Sequence, residues 1–387
     1  MKIGRPQLID EVNKGQILKL LREEGPISRA EIARRLGLSR PTVSTHIKEL
    51  LKEGLVIEVG KGKGSKGRKG ILLKYNARHG YFLAGDIEGS IMRFALSDLC
   101  GEILYEKVLS LNDLRQKNMM KPENFIDIIK QFLKENSVEE KNIRVIALGI
   151  AGIIEEGKLI FAPNLPEWNH APLQNLIKEA FPETQVILEN DVNTAVMGEM
   201  WKGAGKGLKN IVYLSLSTGI GAGIVIDGKL YEGSNKFAGE ISYMVVDSHH
   251  ENFPGVEYTP LGALEWVASG ARIIEKAKSF DSKYTLLEII FDDYNKVEEI
   301  KVLIDRIGEY LGKAIVNMVS VLDPEVIIVG GIVGKFLNIL MRKIKPTIEY
   351  YLPVPVKIIP SALYPKTVVY GAIYRALELY HTKPVII

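Results

Sequence analysis

Tyr81-Phe82-Leu83-Ala84-Gly85-Asp86-Ile87-Glu88-Gly89-Ser90-Ile91-Met92-Arg93-Phe94-Ala95-Leu96 reads as an apolar strand, a polar turn containing glycine, and a second strand. Some 130 residues further on, Ile211-Val212-Tyr213-Leu214-Ser215-Leu216-Ser217-Thr218-Gly219-Ile220-Gly221-Ala222-Gly223-Ile224-Val225-Ile226 repeats the plan. Strand and helix patterns alternate around both stretches, so the chain from residue 80 onward is expected to be α/β. Two hairpins of one design point to a duplicated fold with facing lobes. Such turns present backbone N–H groups, together with an Asp for a metal or a Ser or Thr for a phosphate. Gly219-x-Gly221-x-Gly223 is not a dinucleotide fingerprint, because a strand and the Asp227-Gly228 turn follow it where that fingerprint needs a helix.

Between the hairpins, Val186-Ile187-Leu188-Glu189-Asn190-Asp191-Val192-Asn193-Thr194-Ala195 reads as a buried strand running into a helix. Asn190 and Asp191 then sit at a strand's carboxyl end, where open α/β sheets place their ligands. A carboxylate there can take a proton from a sugar hydroxyl during phosphoryl transfer, or the pair can simply cap the helix. Val326-Ile327-Ile328-Val329-Gly330-Gly331-Ile332 is another buried strand. Its glycine pair suits either the close approach of a ligand or tight packing.

The segment before residue 80 is different in kind. Ile17, Leu18, Leu20 and Leu21 recur at helical spacing, and Gly25-Pro26 ends the run. Ser28-Arg29-Ala30-Glu31 is a capping-box sequence opening a second helix, which ends at Gly37. Ser39 then caps a third helix with Pro41 in its first turn. Val43, Ile47, Leu50 and Leu51 form its inner stripe, while Thr42, Thr45 and Lys48 point outward with Arg40 and Ser44 at the edges. Short polar and basic side chains on the outer face suit a helix entering the major groove. Leu55–Val59 and Gly70–Tyr75 read as strands bracketing a glycine-rich loop that carries Lys61, Lys63, Lys66, Arg68 and Lys69, cations placed for phosphate or minor-groove contacts. The whole is the pattern of a winged helix-turn-helix.

Charge agrees with this division. The net charge of the 387 residues is only +3, but residues 1–80 hold 18 Lys and Arg against 8 Asp and Glu, while the remainder holds 32 against 39. A small basic module on an acidic body is the expected balance of a nucleic-acid-binding head with a different task behind it. One cysteine, Cys100, excludes an internal disulfide framework and a cysteine-rich zinc site. No apolar run reaches the ~18 residues of a membrane helix. The residues Met1 to Asp10 do not resemble a signal peptide, and the expected compartment is the cytoplasm.

Taken in order along the chain, these residues resemble the ROK family, which joins bacterial sugar kinases and sugar-responsive repressors on an actin-like (ribonuclease H-like) fold. Arg29 to Leu51 with Gly67-Arg68 is similar to the DNA-binding part of the repressor branch. The resemblance places Asp86 to Ser90 on the first phosphate motif, Ser217 to Gly221 on the second, and Gly330-Gly331 on the adenosine motif. It implies nucleotide or phosphate contacts for Asp86, Ser90, Thr218, Gly219, Gly221, Gly330 and Gly331. It makes Asp191 the catalytic base wherever kinase activity persists. Asn164, Trp168, Asn190, Asp191, Glu240 and Glu265 fall on the segments that hold sugar hydroxyls.

The chain departs from the family kinases in three places. Their Gly-His pair is Ser242-Tyr243 here, and their Cys-x-Cys-Gly-x-x-Gly-Cys zinc segment is replaced by Glu251 to Leu264, which has no Cys. No metal site is therefore expected, with His249 and His250 read as loop residues. In the first phosphate turn Glu88 and Ser90 stand where the kinases have Gly and Thr, so a carboxylate faces the γ-phosphate. The resulting expectation is a winged helix-turn-helix over residues 1–76 and first and second lobes over 77–195 and 196–365, with a C-terminal helix over 366–387 packing back on the first lobe. It would act as a sugar-responsive regulator, a repressor, binding operator DNA as a homodimer, with no membrane contact and no required cofactor. The alternative is an ATP-dependent hexose or N-acetylhexosamine kinase, using ATP and Mg²⁺ if that activity is retained.

Overall fold

The computed structural model describes residues 5–61, 70–162, 165–246 and 262–382. At the start of the chain, helices α1 (Arg5–Glu24), α2 (Arg29–Leu36) and α3 (Arg40–Lys52) pack against strands β1 (Ile27–Ser28), β2 (Val56–Lys61) and β3 (Ile71–Tyr75), ordered β1-β3-β2 and antiparallel. Ser28 Oγ accepts from Glu31 N (3.3 Å) and Ser39 Oγ from Thr42 N (3.2 Å), so both short helices start on a side-chain cap. Gly37, with φ +66°, closes α2 in the left-handed conformation that favours glycine. The reciprocal half of the capping box is absent. The Glu31 carboxylate pairs instead with Arg34 and Arg35, each at 2.6 Å.

Helix α1 begins well before the Gly15 expected from periodicity. Its front half lacks an apolar stripe, which is why the pattern missed it. A salt bridge from Lys14 to Glu49 (2.9 Å) ties that part of the helix to α3.

The first lobe is built on a sheet ordered β10-β7-β4-β5-β6. Strands β4 (Tyr81–Glu88), β5 (Ile91–Asp98) and β6 (Ile103–Ser110) form an antiparallel meander, and β7 (Ile143–Ile150) and β10 (Gln185–Asn190) run parallel to β4. One face is covered by α4 (Leu111–Gln116), α5 (Pro122–Glu135) and α6 (Leu173–Ala180). Phe125, Ile128, Ile129, Phe132 and Leu133 give α5 a continuous buried stripe at helical spacing. A small hairpin, β8 (Ile153–Glu155) and β9 (Lys158–Phe161), stands apart from the sheet.

The second lobe repeats the arrangement. Its sheet is ordered β13-β12-β11-β14-β15. The meander is β11 (Ile211–Leu216), β12 (Ile220–Ile226) and β13 (Lys229–Leu230), and the parallel additions are β14 (Val326–Gly330) and β15 (Ile358–Pro360). Read from the meander outward, the two sheets have the same connectivity, so the two hairpins seen in the sequence are the equivalent parts of a duplicated fold. Around this second core pack α8 (Ala263–Ala268), α9 (Gly270–Phe280), α10 (Leu287–Asp292), α11 (Glu298–Leu322), the short α12 (Gly331–Gly334) and α13 (Leu337–Tyr351).

Two further helices, α7 (Asp191–Lys202) and α14 (Thr367–Thr382), cross between the lobes. Residue 195 therefore falls inside α7 and not between elements. Ala195, Val196 and Met197 of α7 pack on Ile211, Tyr213 and Val225 of the second lobe. Val369, Ala372, Ile373 and Ala376 of α14 pack on Phe82, Ala84, Ala95 and Val145 of the first. That core continues into the N-terminal module through Tyr75, Leu73, Leu50 and Ile17, so the module shares buried apolar surface with the body. Among the described residues no helix is long and apolar enough to cross a membrane.

Candidate ligand cleft and DNA-facing module

The carboxyl ends of β4, β10 and β14 and the first turns of α7 and α14 meet in one cleft. It is lined by Asp86 and Glu88 from β4, Asp191 from α7, Tyr213 and Ser215 from β11, and Gly331, Tyr364 and Thr367. Of the residues singled out from the sequence, Asp86, Glu88, Asp191 and Gly331 come together there. Tyr213, Ser215, Tyr364 and Thr367 had no sequence signal, since an isolated Tyr, Ser or Thr in an α/β chain is unremarkable until the fold brings it to the cleft.

Asp191 is the first residue of α7, and burial pushes its carboxyl up to about 7, with the Glu88 charge adding to the effect. Asp86 is 2% exposed, and its Oδ1 has no hydrogen-bond partner. Burial, then Glu88 and Asp191, hold Asp86 well above the usual carboxylate range. Burial raises Glu88 too, against the opposing pull of the Arg93 guanidinium. Further along, burial raises Glu240 and Glu265, and Glu265 Oε2 accepts from Ile220 N at 3.5 Å. The Glu240 charge adds to the raised values of both Asp191 and Glu265, although neither Glu240 nor Glu265 is among the residues that line the cleft.

Other expected ligand residues have structural duties. Asn190 caps α7, its Oδ1 accepting from Val192 N (2.9 Å) and Asn193 N (3.1 Å). Trp168 corrects its expected place among the sugar-holding residues: it is 1% exposed in the first lobe's core, its Nε1 donates to Met120 O (2.7 Å), and Phe125 meets it edge-on. An indole with its one polar atom satisfied inside the lobe belongs to packing. Gly330 and Gly331 are needed by the protein itself, because a Cβ there would overlap the Tyr213 ring and the Leu216 backbone respectively. A Cβ on Gly221 would press on Val192, and one on Gly219 would reach the Glu265 carboxylate. Ser90 and Thr218 lie in the β4–β5 and β11–β12 turns. Asn164 lies outside the described residues, as do His249 and His250.

In the N-terminal module Arg40, Ser44, Thr45 and Lys48 are exposed along one face of α3, and Lys61 is exposed at the end of β2. Thr42 is half-buried, its hydroxyl 2.7 Å from that of Ser39. Lys63, Lys66, Arg68 and Lys69 lie outside the described residues. Among the described residues no three His, Cys, Asp or Glu are grouped so as to hold a metal ion.

A winged helix-turn-helix sharing a core with a two-lobed sugar-kinase fold defines the class: a transcriptional regulator with a ligand-binding body. Residues 83–378 match the ROK family and residues 11–57 match a winged helix-turn-helix DNA-binding family. The chain belongs to the ROK family. It is 28% identical over 365 residues to the xylose repressor of Caldicellulosiruptor bescii, covering 90% of each chain. It is also 31% identical over 288 residues to the glucokinase of Halalkalibacterium halodurans, covering 70% of this chain and 86% of the kinase. The crystal structure of a ROK family transcriptional regulator, a homolog of the E. coli MLC protein, superposes with a TM-score of 0.73 over 95% of this chain and 96% of that one, at 24% identity.

The raised Asp191 carboxyl has a measurable consequence. Its folded-state value of about 7 lies above the ordinary aspartate value of 3.8, so the folded state holds the extra proton between the two. Stability is then lost as pH rises from about 4 to 7. Asp191→Asn removes this loss. Its melting temperature should exceed that of the unsubstituted protein by a margin that grows between pH 4 and pH 7 and levels off above; a pH-independent margin would contradict the assignment.

Proposed function

We propose that this chain is a sugar-responsive repressor of carbohydrate uptake or catabolism genes, acting on operator DNA as a homodimer in the cytoplasm. The observation that carries this reading is the placement of α14. Thr367 and Val368 in its first turn line the cleft, while its last turn lies against the DNA-binding module. There the His381 Nε2–H donates to Leu99 O (3.1 Å) and the His381 ring meets Tyr75 of β3 edge-on, with centroids 6.3 Å apart. A helix of 16 residues spans ~24 Å, so one rigid element joins ligand site and output head.

Helix α7 runs beside it from Asp191 to the same region. Its Lys202 reaches Glu102 (2.9 Å) in the turn after β5, and that turn's backbone holds the residue just past the module, Leu99 N donating to Ala77 O (2.9 Å). Sugar hydroxyls would bind Asn190, Asp191, Glu240 and Glu265, with Asn164, and so bridge the lobes. The fully buried Glu199 of α7 accepts from Leu363 N (3.2 Å) and from Ser361 Oγ just beyond β15, which couples a movement of the second lobe to the start of α14. In a dimer a tilt of α14 alters the spacing of the two reading heads, on which half-site recognition depends. Sugar and operator affinities must then change reciprocally. No cofactor is required for this cycle.

Operator binding measured against a panel of pentoses and hexoses tests the proposal. One sugar should change affinity for DNA from the chain's own upstream region by about 5–150-fold, the usual span of allosteric coupling. Failure of every sugar to change it would overturn the reading. Replacing Lys61, Lys63, Lys66, Arg68 and Lys69 together by Gln should reduce the slope of log affinity against log salt by ~0.9 for each phosphate that is no longer neutralised. An unchanged slope would exclude the wing from the interface.

A kinase reading draws on Asp191, placed beside Asp86 at the start of α7, and on the similarity to a glucokinase. A coupled assay with ATP, Mg²⁺, hexoses and N-acetylhexosamines decides it. Sugar phosphate formation abolished by Asp191→Asn would establish the kinase.

A further inference from the structure

Phosphoryl groups are held in proteins by convergent N–H donors and cations, which match their charge and geometry. The cleft described above offers the opposite. Three carboxylates, Asp86, Glu88 and Asp191, line it, and among the described residues no lysine, arginine or histidine lines it. The positions of Asp86 and Glu88 are dictated by the strand pairing of the first hairpin. Asp86 stands opposite Arg93 and Glu88 opposite Ile91, so both acids leave β4 on the same side, one turn of the pleat apart. The Arg93 guanidinium, opposite Asp86 on β5, pulls against the raised values of Asp86 and Glu88, yet Arg93 Nε and Asp86 Oδ1 are both buried without a hydrogen-bond partner. The remaining polar groups lining the space are the side chains of Ser215, Thr367, Tyr213 and Tyr364, all uncharged partners suited to hydroxyl groups.

We propose that this cleft discriminates against phosphorylated ligands, that Glu88 is its specificity-determining residue, and that the effector is a free, unphosphorylated sugar. The inference rests on the sugar-sensor reading and deepens it. A phosphate ester at the end of a sugar, or the terminal phosphate of ATP, would be brought to the β4–β5 turn and meet the Glu88 carboxylate with Asp86 and Asp191 behind it. Binding would require those acids to stay protonated or the phosphate to shed charge, and either reduces affinity. A neutral sugar places only hydroxyls there, and these donate to the same carboxylates. The residues present therefore do not fit a nucleotide phosphate chain.

Calorimetric titration of the full-length protein provides the test, using free pentoses and hexoses, their terminal phosphates, inorganic pyrophosphate, and ATP with and without Mg²⁺. For the sugar that binds, its phosphate ester should bind at least ~100-fold more weakly, as expected where like charges are juxtaposed. Glu88→Gln, which keeps the size of the side chain, should narrow that ratio by ~10-fold or more, and Glu88→Gly should go further and admit pyrophosphate or ATP. Phosphorylated and free sugar binding alike to the unsubstituted protein would overturn the proposal, as would tight ATP–Mg²⁺ binding to it or a ratio unmoved in both variants. If no sugar binds any form, the sensor reading fails. The ATP and pyrophosphate titrations still decide phosphate exclusion, because binding confined to the Glu88 variants supports it and binding to the unsubstituted protein refutes it.

Discussion

Helices α7 and α14 cross with their backbones in contact, and the relation between the lobes depends on that crossing. A Cβ on Gly198 would lie 2.5 Å from Thr367 O and 2.8 Å from Gly371 N, and one on Gly371 would overlap the Thr194 carbonyl. Glycine at both positions removes the side chains that would otherwise hold the helices about 8–10 Å apart. Each helix is then able to bury one face on one lobe and touch the other helix with its second face. The cleft lies at the amino-terminal ends of both helices. Their far ends reach the turn between β5 and β6, where Asp98 Oδ1 accepts from Cys100 N (2.9 Å) and Glu102 N (3.0 Å) and so holds the turn in shape.

The winged module is attached at that end by buried surface as well as by the chain. Tyr75 and His381 are packed together, and burial with the nearby Arg22 pushes the His381 imidazole down to about 4, so it is neutral at physiological pH. Asn76 N donates to Leu55 O (2.9 Å) and its Nδ2 to Gly54 O (2.8 Å), fixing the junction between module and body. A head held this way would follow a change of shape in the body. A head on a slack tether would not, and a ligand can shift an equilibrium only through differential contacts with its states.

Much of this was legible in the chain itself because it is written in local chemistry. The caps Ser28 and Ser39, the left-handed Gly37 and the outward polar face of α3 are matters of neighbouring residues, and they define the reading head. The echo between residues 81–96 and 211–226 survives as a pattern because each hairpin needs the same alternation of buried strand and small polar turn. Trp168 illustrates the limit. A tryptophan close to Pro163-Asn164-Leu165 fits a sugar wall by order along the chain, yet Met120 and Phe125, some 45 residues earlier, surround it in the core. Glu31 likewise has the right spacing for a capping box but two arginines one turn away, and the charge-assisted pairs prevail over a neutral backbone donor.

The amino-acid sequence by itself determined the winged helix-turn-helix, the duplicated α/β plan and the family, because periodicity, caps and motif order act over a few residues or add up along the chain. It also marked Glu88 as the odd residue in a phosphate turn. Only the tertiary structure decided that Glu88 shares its space with Asp86 and Asp191, with no Lys, Arg or His among the described lining residues, and that α14 joins this space to the DNA-binding module. Those facts depend on residues roughly 100 to 310 positions apart meeting in three dimensions. Burial and the proximity of like groups at that meeting place, which no local pattern encodes, turn a kinase-like turn into a cleft lined by acids.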